Sequence, residues 1–344
     1  MAKTNGEDAQ ATTATPGFRK FLATYAPDWI TAAVLWAVYV VVWTQVNGFR
    51  RQFSLDDTTL HYPYAEHQRV SVPALFAICT LLPLACQFVV NRLTVRSWVD
   101  VHHGALGLLL GLSLTGSLTQ LVKVGVGRPR PDLLSRCHPA PTAHDPAFGL
   151  STWHICAQPD ASLLEDGFRS FPSGHSSMAF AGLGFLACYL AGKMHLFDER
   201  GHASKAWTAL FPLLGALLVA ISRTMDYRHH WEDVTVGSVL GLAVAYLAYR
   251  QYFPHLADRA AHLPLTGRLE RGAAADAERG SASAHGNGVG RRNGNGVANG
   301  GHAGYRDEPG SEDGEDVGED VGLMSGARKG AAGRGKGKGV RRGA

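Results

Sequence analysis

Residues 101–122 read VHHGALGLLLGLSLTGSLTQLV, a run without a formal charge until Lys123 follows it. A soluble helix keeps a polar stripe, and this run has none. Its length suits a bilayer crossing, which takes about 20 residues. Five further stretches share the pattern: roughly 29–46 (WITAAVLWAVYVVVWTQV), 72–90 (VPALFAICTLLPLACQFVV), 176–192, 206–222 and 234–250. Their Gly, Ala, Ser and Thr content suits close packing between membrane helices. The expectation is an all-α membrane protein with a bundle of six transmembrane helices.

Outside these runs the composition changes. The mean hydropathy of the chain is near zero, because it averages two unlike regions. Residues 265–344 carry 22 of the 41 glycines and almost no aromatics. Such a segment cannot bury enough apolar surface to offset chain entropy and reads as disordered. Three parts are expected: a polar N-terminal tail (1–28), the six-span unit (29–254) and a Gly/charge-rich C-terminal tail (255–344). The opening MAKTNGEDAQATTATPG is polar and acidic, unlike a cleavable signal peptide. The net charge of +4 comes partly from the tail, and no aromatic-basic module accompanies it, so nucleic acid is not an expected partner. The five cysteines show no C-x-x-C spacing.

Parity along six spans puts the loop after span three (123–175) and the loop after span five (223–233) on one membrane side. The short loops 91–100 and 193–205 are basic and mark the opposite side as cytoplasmic, although Arg50, Arg51 and Arg69 count against it. Both termini are then cytoplasmic, and the two loops are extracytoplasmic or lumenal.

Those two loops hold three polar clusters. In KVGVGRPRPD (123–132), Lys123 and Arg130 supply a point charge and a planar fork for phosphoryl oxygens. Taken alone they also fit a snorkelling collar at a helix end. In FRSFPSGHSS (168–177), Pro172, Ser173 and Gly174 read as a turn opening a helix, whose N-terminal amides favour an anion; His175 follows in the first turn. In SRTMDYRHHWEDV (222–234), Arg223 is followed by His229, His230 and Asp233. A carboxylate there can orient an imidazole through Nδ1 and leave Nε2 free. The two histidines lie four and three residues before Asp233, and helix geometry alone does not choose between them. The set contains cations but no carboxylate group suited to Mg²⁺ or Ca²⁺, and no Walker-type loop. No metal and no cofactor are expected.

Lys-x6-Arg-Pro, Pro-Ser-Gly-His and Ser-Arg-x5-His-x3-Asp occur in order at Lys123–Pro131, Pro172–His175 and Ser222–Asp233, without a departure in spacing. Over about 29–254 the sequence therefore resembles the type 2 phosphatidic acid phosphatase (lipid phosphate phosphatase) superfamily, which includes vanadium haloperoxidases. Stretches such as FSLDDTTLHYP and GRPRPDLLSRC are similar to its fungal diacylglycerol pyrophosphate phosphatase/phosphatidate phosphatase branch. The resemblance implies a metal-independent hydrolase converting diacylglycerol pyrophosphate to phosphatidate and phosphatidate to diacylglycerol. It assigns His229 as the nucleophile that forms a phosphohistidine, Asp233 as its orienting group, and His175 as the acid and then base. Lys123, Arg130, Ser173, Gly174 and Arg223 are implied as phosphate ligands. The expected partners are a membrane lipid phosphate and the bilayer itself, in an endomembrane (vacuolar, Golgi or ER) or the plasma membrane; no obligate protein partner is implied. A polyprenyl diphosphate or sphingoid-base phosphate phosphatase, or a lipid phosphotransferase, would carry the same motifs. Cys137 and Cys156 fall in the long loop, where a lumenal setting permits a disulfide.

Overall fold

Every long element among the residues that the computed structural model describes, 18–198 and 201–286, is a helix. The β pairing among them is confined to two isolated bridges, Phe53 with Ser151 and Pro139 with Cys156. In chain order the helices are α1 (Phe18–Gln45), α2 (Val72–Phe76), α3 (Leu82–Leu93), α4 (Trp98–Val126), α5 (Leu133–Cys137), α6 (Ala161–Gly167), α7 (Gly174–Lys193), α8 (Ala203–Met225), α9 (Trp231–Tyr252) and α10 (Gly267–Gly286). A π turn over Ala77–Leu81 joins α2 to α3 without a break. Ser71 caps α2, its hydroxyl accepting from the Ala74 N–H, with Pro73 in the first turn.

Among the described residues, five helices are long and apolar enough to cross a membrane: Arg19–Gln45, Val72–Leu93, Trp98–Val126, Ala203–Met225 and Trp231–Tyr252. The expected count was six. The run expected at 176–192 is a helix, α7, which carries His175, Ser176, Ser177 and Lys193 at its ends and Gly182, Gly184 and Gly192 besides Gly174, and is not among these five. Those small residues have a packing reason. α7 lies at the centre of the bundle against α4, α8, α9 and the π turn, where close approach counts for more than apolar bulk. A Cβ at Gly241 of α9 would come within 2.2 Å of the Ser177 carbonyl oxygen on α7, and one at Gly237 within 2.6 Å of that of Ser173. Glycine at 237 and 241 thus lets α9 run against α7, and the Ser173 N–H donates to the Asp233 carbonyl at 2.9 Å.

Segments 46–71 and 127–173 fold together at one end of the bundle. Phe53, Leu60, Leu133, Cys137, Leu164 and Phe168 form a separate small core there. Phe53 and Ser151 exchange backbone hydrogen bonds at 3.0 and 2.9 Å, and Cys137 is disulfide-bonded to Cys156. The fully buried Arg136 holds this cap from within, donating to Asp132 at 2.8 Å and to Asp166 at 2.9 Å. At the opposite end, buried Asp100 receives hydrogen bonds from Asn91, Tyr189 and Lys193, linking α3, α4 and α7.

The element bounds differ from the sequence reading at both ends. α1 starts at Phe18, inside the stretch expected as a polar tail. α10 lies inside the stretch expected as a disordered tail; Leu269 is buried in the main core, and Arg268 pairs with Asp28 of α1. The remainder of that expected tail, 287–344, lies outside the described residues.

Candidate active site

The C-terminal turn of α4 sets the first group. Gly127 closes the helix at φ +59°, a left-handed conformation suited to glycine, and its N–H donates to the Lys123 carbonyl. A Cβ there would also strike the Phe49 carbonyl. Lys123 is buried one turn earlier, and its Nζ donates to the Arg169 carbonyl at 2.5 Å. Beyond Gly127 the chain turns through Arg128-Pro129-Arg130-Pro131, where each proline fixes its own φ. The Arg130 guanidinium is held from several sides: Nε and Nη2 donate to the Asp166 carbonyl and carboxylate, both at 2.7 Å, and Nη1 to the Arg228 carbonyl at 3.3 Å.

The second group is the N-terminus of α7. The Ser173 hydroxyl caps the helix, accepting from the Ser176 N–H at 3.4 Å and standing 3.0 Å from the Ser176 hydroxyl. His175 follows in the first turn, its Nε2 lying 3.1 Å from the Val70 carbonyl. A carbonyl can only accept, so Nε2 carries the proton and Nδ1 keeps the lone pair.

The third group joins α8 to α9. Arg223 donates to the Ser222 hydroxyl at 3.0 Å, to Gln68 at 2.9 Å and to Asp226 at 2.8 Å. Asp226 also accepts from the Arg69 N–H. Asp233, fully buried, accepts from the Ser170 hydroxyl at 2.5 Å, Arg128 Nη1 at 2.7 Å and the His230 N–H at 3.0 Å. Its Oδ2 is 3.8 Å from His229 Nδ1, beyond hydrogen-bond range. Among the described residues that buried Nδ1 has no hydrogen-bond partner.

These groups meet in one cavity of about 150 Å³. Of the sequence-predicted residues, Lys123, Arg130, Gly174, His175, Arg223 and His229 line it. Ser173 and Asp233 do not; both are buried behind the wall, Ser173 as a helix cap and Asp233 as an ion-pair partner. The adjacent histidines are separated by geometry, since His229 lines the cavity and His230 turns its Nδ1 to Asp233 at 3.4 Å.

Sequence reasoning missed several wall groups. Arg169 and Arg228 raise the cations on the wall to five, against the single carboxylate of Asp166. Arg169 donates to the Trp43 and Val46 carbonyls and so ties the end of α1 to the site. Arg228 donates to the Ala65 carbonyl and lies over the Tyr64 ring. Burial alone would raise the Asp166 carboxyl, but Arg130, Arg136, Lys123 and Arg228 outweigh it and hold the group well below the usual carboxylate range. Burial pushes the His229 imidazole well below its ordinary value; Asp233 opposes this, while Arg130 and Lys123 add to it. The site therefore presents a neutral imidazole beside fixed positive charge. Chemically it can hold an anion the size of a phosphoryl group with a ring nitrogen facing it.

Comparison with known proteins agrees with this chemistry. Residues 104–256 match the model of the PAP2 superfamily. The chain is 42% identical over 228 residues to the probable diacylglycerol pyrophosphate phosphatase 1 of Schizosaccharomyces pombe, covering 65% of this chain and 81% of that one. It is 40% identical over 232 residues to lipid phosphate phosphatase 2 of Arabidopsis thaliana (66% and 77%). Against the diacylglycerol pyrophosphate phosphatase 1 of Saccharomyces cerevisiae the identity is 38% over 221 residues (63% and 76%). No solved structure matches it.

Proposed function

The chain belongs to the PAP2 superfamily, and we propose that it hydrolyses diacylglycerol pyrophosphate to phosphatidate and phosphatidate to diacylglycerol at the membrane surface. The observation that carries this reading is the single cavity lined by Lys123, Arg130, Arg223, His175 and His229. His229 Nε2, the nitrogen away from Asp233, attacks phosphorus, and the bond to the leaving oxygen breaks as the phosphohistidine forms. The Nδ1 lone pair of His175, on the side not engaged by Val70, takes a proton from the entering phosphate monoanion and gives it to that oxygen. It then takes a proton from water, which attacks phosphorus and frees His229 and phosphate. Lys123, Arg130, Arg223 and the α7 N-terminus at Gly174 stabilise charge on the three equatorial oxygens. Ser173 serves by fixing that helix end. Asp233 acts on His229 as a nearby charge at 3.8 Å.

In this reading α7 is the sixth crossing of the bundle, and the catalytic unit is the one expected over 29–254. The cap and the cavity face the lumen or the exterior, with both termini cytoplasmic. The Cys137–Cys156 disulfide supports that side, because such bonds persist in oxidising compartments. The substrate keeps its acyl chains in the bilayer and projects its phosphate into the cavity.

The test is phosphate release by the purified protein, in detergent micelles with excess EDTA, from a panel of diacylglycerol pyrophosphate, phosphatidate, lysophosphatidate, a polyprenyl diphosphate and a sphingoid-base phosphate. Release from the first two, inhibited by vanadate, is expected. Release from the polyprenyl or sphingoid substrate alone would replace the proposed substrate, and release from none would refute the activity.

A further inference from the structure

One group on the cavity wall is at odds with a site for anions. Asp166 lines the cavity among Lys123, Arg130, Arg223 and Arg228. The other aspartates around the site are shut away from it. The side chains of Asp132 and Asp233 are 0% exposed and that of Asp226 4%, whereas 44% of the Asp166 side-chain surface is open. A carboxylate needed only to hold the loops together would be enclosed like its neighbours.

Three guanidiniums fix this carboxylate. Oδ1 accepts from Arg130 Nη2 at 2.7 Å. Oδ2 accepts from Arg136 Nη1 of α5 at 2.9 Å and from Arg228 Nη1, between α8 and α9, at 3.4 Å. The backbone is tied down too, since the Gly167 carbonyl accepts from the Arg130 N–H at 2.8 Å. An ionised carboxylate offers about four acceptor positions, and these three bonds leave it one. The charge on the wall is also largely balanced. Arg130 and Arg228 face Asp166, Arg223 faces Asp226 and Arg169 faces Glu165, while Lys123 of α4 donates to a carbonyl. Such a wall suits a monoanion better than a dianion, whose second charge would lie against Asp166.

A deprotonated phosphoryl oxygen can only accept a hydrogen bond, and so can an ionised carboxylate; the two repel. A phosphoryl hydroxyl can donate to the carboxylate instead, in a charge-assisted bond about twice as strong as a neutral one. We propose that Asp166 is a specificity-determining residue that selects a protonated phosphoryl group, accepting the hydrogen bond of a phosphoryl hydroxyl and rejecting an oxyanion that has none. The inference rests on the lipid phosphatase reading and adds the ionic form in which the lipid phosphate binds, the monoanion. In the proposed reaction that hydroxyl also supplies the proton that His175 carries to the leaving oxygen, so the form that binds is the form that reacts.

The experiment is equilibrium dialysis of the unmodified full chain, in detergent micelles at neutral pH, against radiolabelled inorganic phosphate and sulfate. The two anions share size and shape, but phosphate keeps at least one hydroxyl there and sulfate has none. Phosphate is expected to bind about tenfold or more tightly than sulfate, because a site built to pair a hydroxyl rejects the analogue that lacks it. A preference below about tenfold, or no measurable binding of phosphate, would overturn the proposal without any variant. Asp166→Asn assigns the preference, since its amide can donate to either anion. The phosphate-to-sulfate ratio of affinities is expected to fall by about fivefold or more in this variant. A smaller fall would show that another group reads the hydroxyl and would overturn the role of Asp166. If Asp166→Asn does not fold, the unmodified protein still decides. Neither measurement depends on turnover, so a preference for phosphate without hydrolysis of any lipid phosphate would instead strike the function itself.

Discussion

Replacing Asp233 by asparagine removes one charge and almost no volume at a fully buried position. In the native protein the carboxylate accepts from Ser170, Arg128 and the His230 N–H, and stands 3.8 Å from His229 Nδ1. When His229 is phosphorylated through Nε2 its ring gains positive charge, which a carboxylate beside Nδ1 stabilises. Two unit charges 3.8 Å apart interact by about 4 kcal/mol at an effective dielectric of about 20. Arg128, 2.7 Å from the same carboxylate, offsets part of that and leaves about 2–3 kcal/mol, which is roughly 30- to 150-fold in rate. The assay is rapid-quench measurement of phosphohistidine formation from a ³²P-labelled lipid phosphate, with inorganic phosphate as competitive inhibitor read in parallel. Formation is expected to slow by that factor while phosphate affinity holds or tightens, since Asp233 does not line the cavity. Formation within threefold of the native rate, or an equal loss of phosphate affinity, would refute the reasoning.

The His229 ring is pushed well below 6.5 by burial, so the nucleophile stays neutral as pH is lowered through 6.5. The acid limb of kcat/KM is expected well below that value, and a limb at or above 6.5 would contradict it. The unfolded chain binds a proton near 6.5 that the folded site refuses, so stability is highest above that pH and declines as pH falls below it; unfolding midpoints across this range check the sign. Cys137→Ser opens a loop of sequence separation 19 and is expected to cost about 3 kcal/mol, seen as a lower Tm; an unchanged Tm would mean that the bond constrains nothing. Ending the chain after Gly288 is expected to leave turnover and Tm unchanged, whereas ending it after Pro264 removes Leu269 from the core and Arg268 from Asp28 and lowers Tm.

The fold was legible where apolar runs had no polar stripe, as at 101–122, which became most of α4. α7 was harder, because a helix enclosed by other helices is selected for smallness, and its glycines and serines resemble those of a soluble segment. The pairing of segments 46–71 and 127–173 into a cap had no signal, since it rests on contacts such as Phe53 with Ser151 across nearly a hundred positions. In the site, Lys123, Arg130, His175, Arg223 and His229 stood at recognisable spacings. Arg128 stood in plain view two residues before Arg130, but its partner Asp233 is 105 positions away. Arg169 and Arg228 stood inside the polar clusters, Arg228 directly before His229, but the carbonyls of Trp43, Val46 and Ala65 that hold them lie more than a hundred positions away. Asp166 and Gln68 come from segments whose neighbours in sequence say nothing about the cavity. Their roles depend on which loop folds over which helix end, and that is decided by packing.

A single measurement bears most directly on the chemistry: locating the phosphoryl group in enzyme quenched during turnover of labelled phosphatidate, by fragmentation of its peptides under conditions that preserve phosphohistidine. Label on Nε2 of His229, with none on His230, is the result expected from the cavity geometry. Label on His175, on His230 or on a carboxylate, or turnover with no phosphoenzyme at any time, would contradict it.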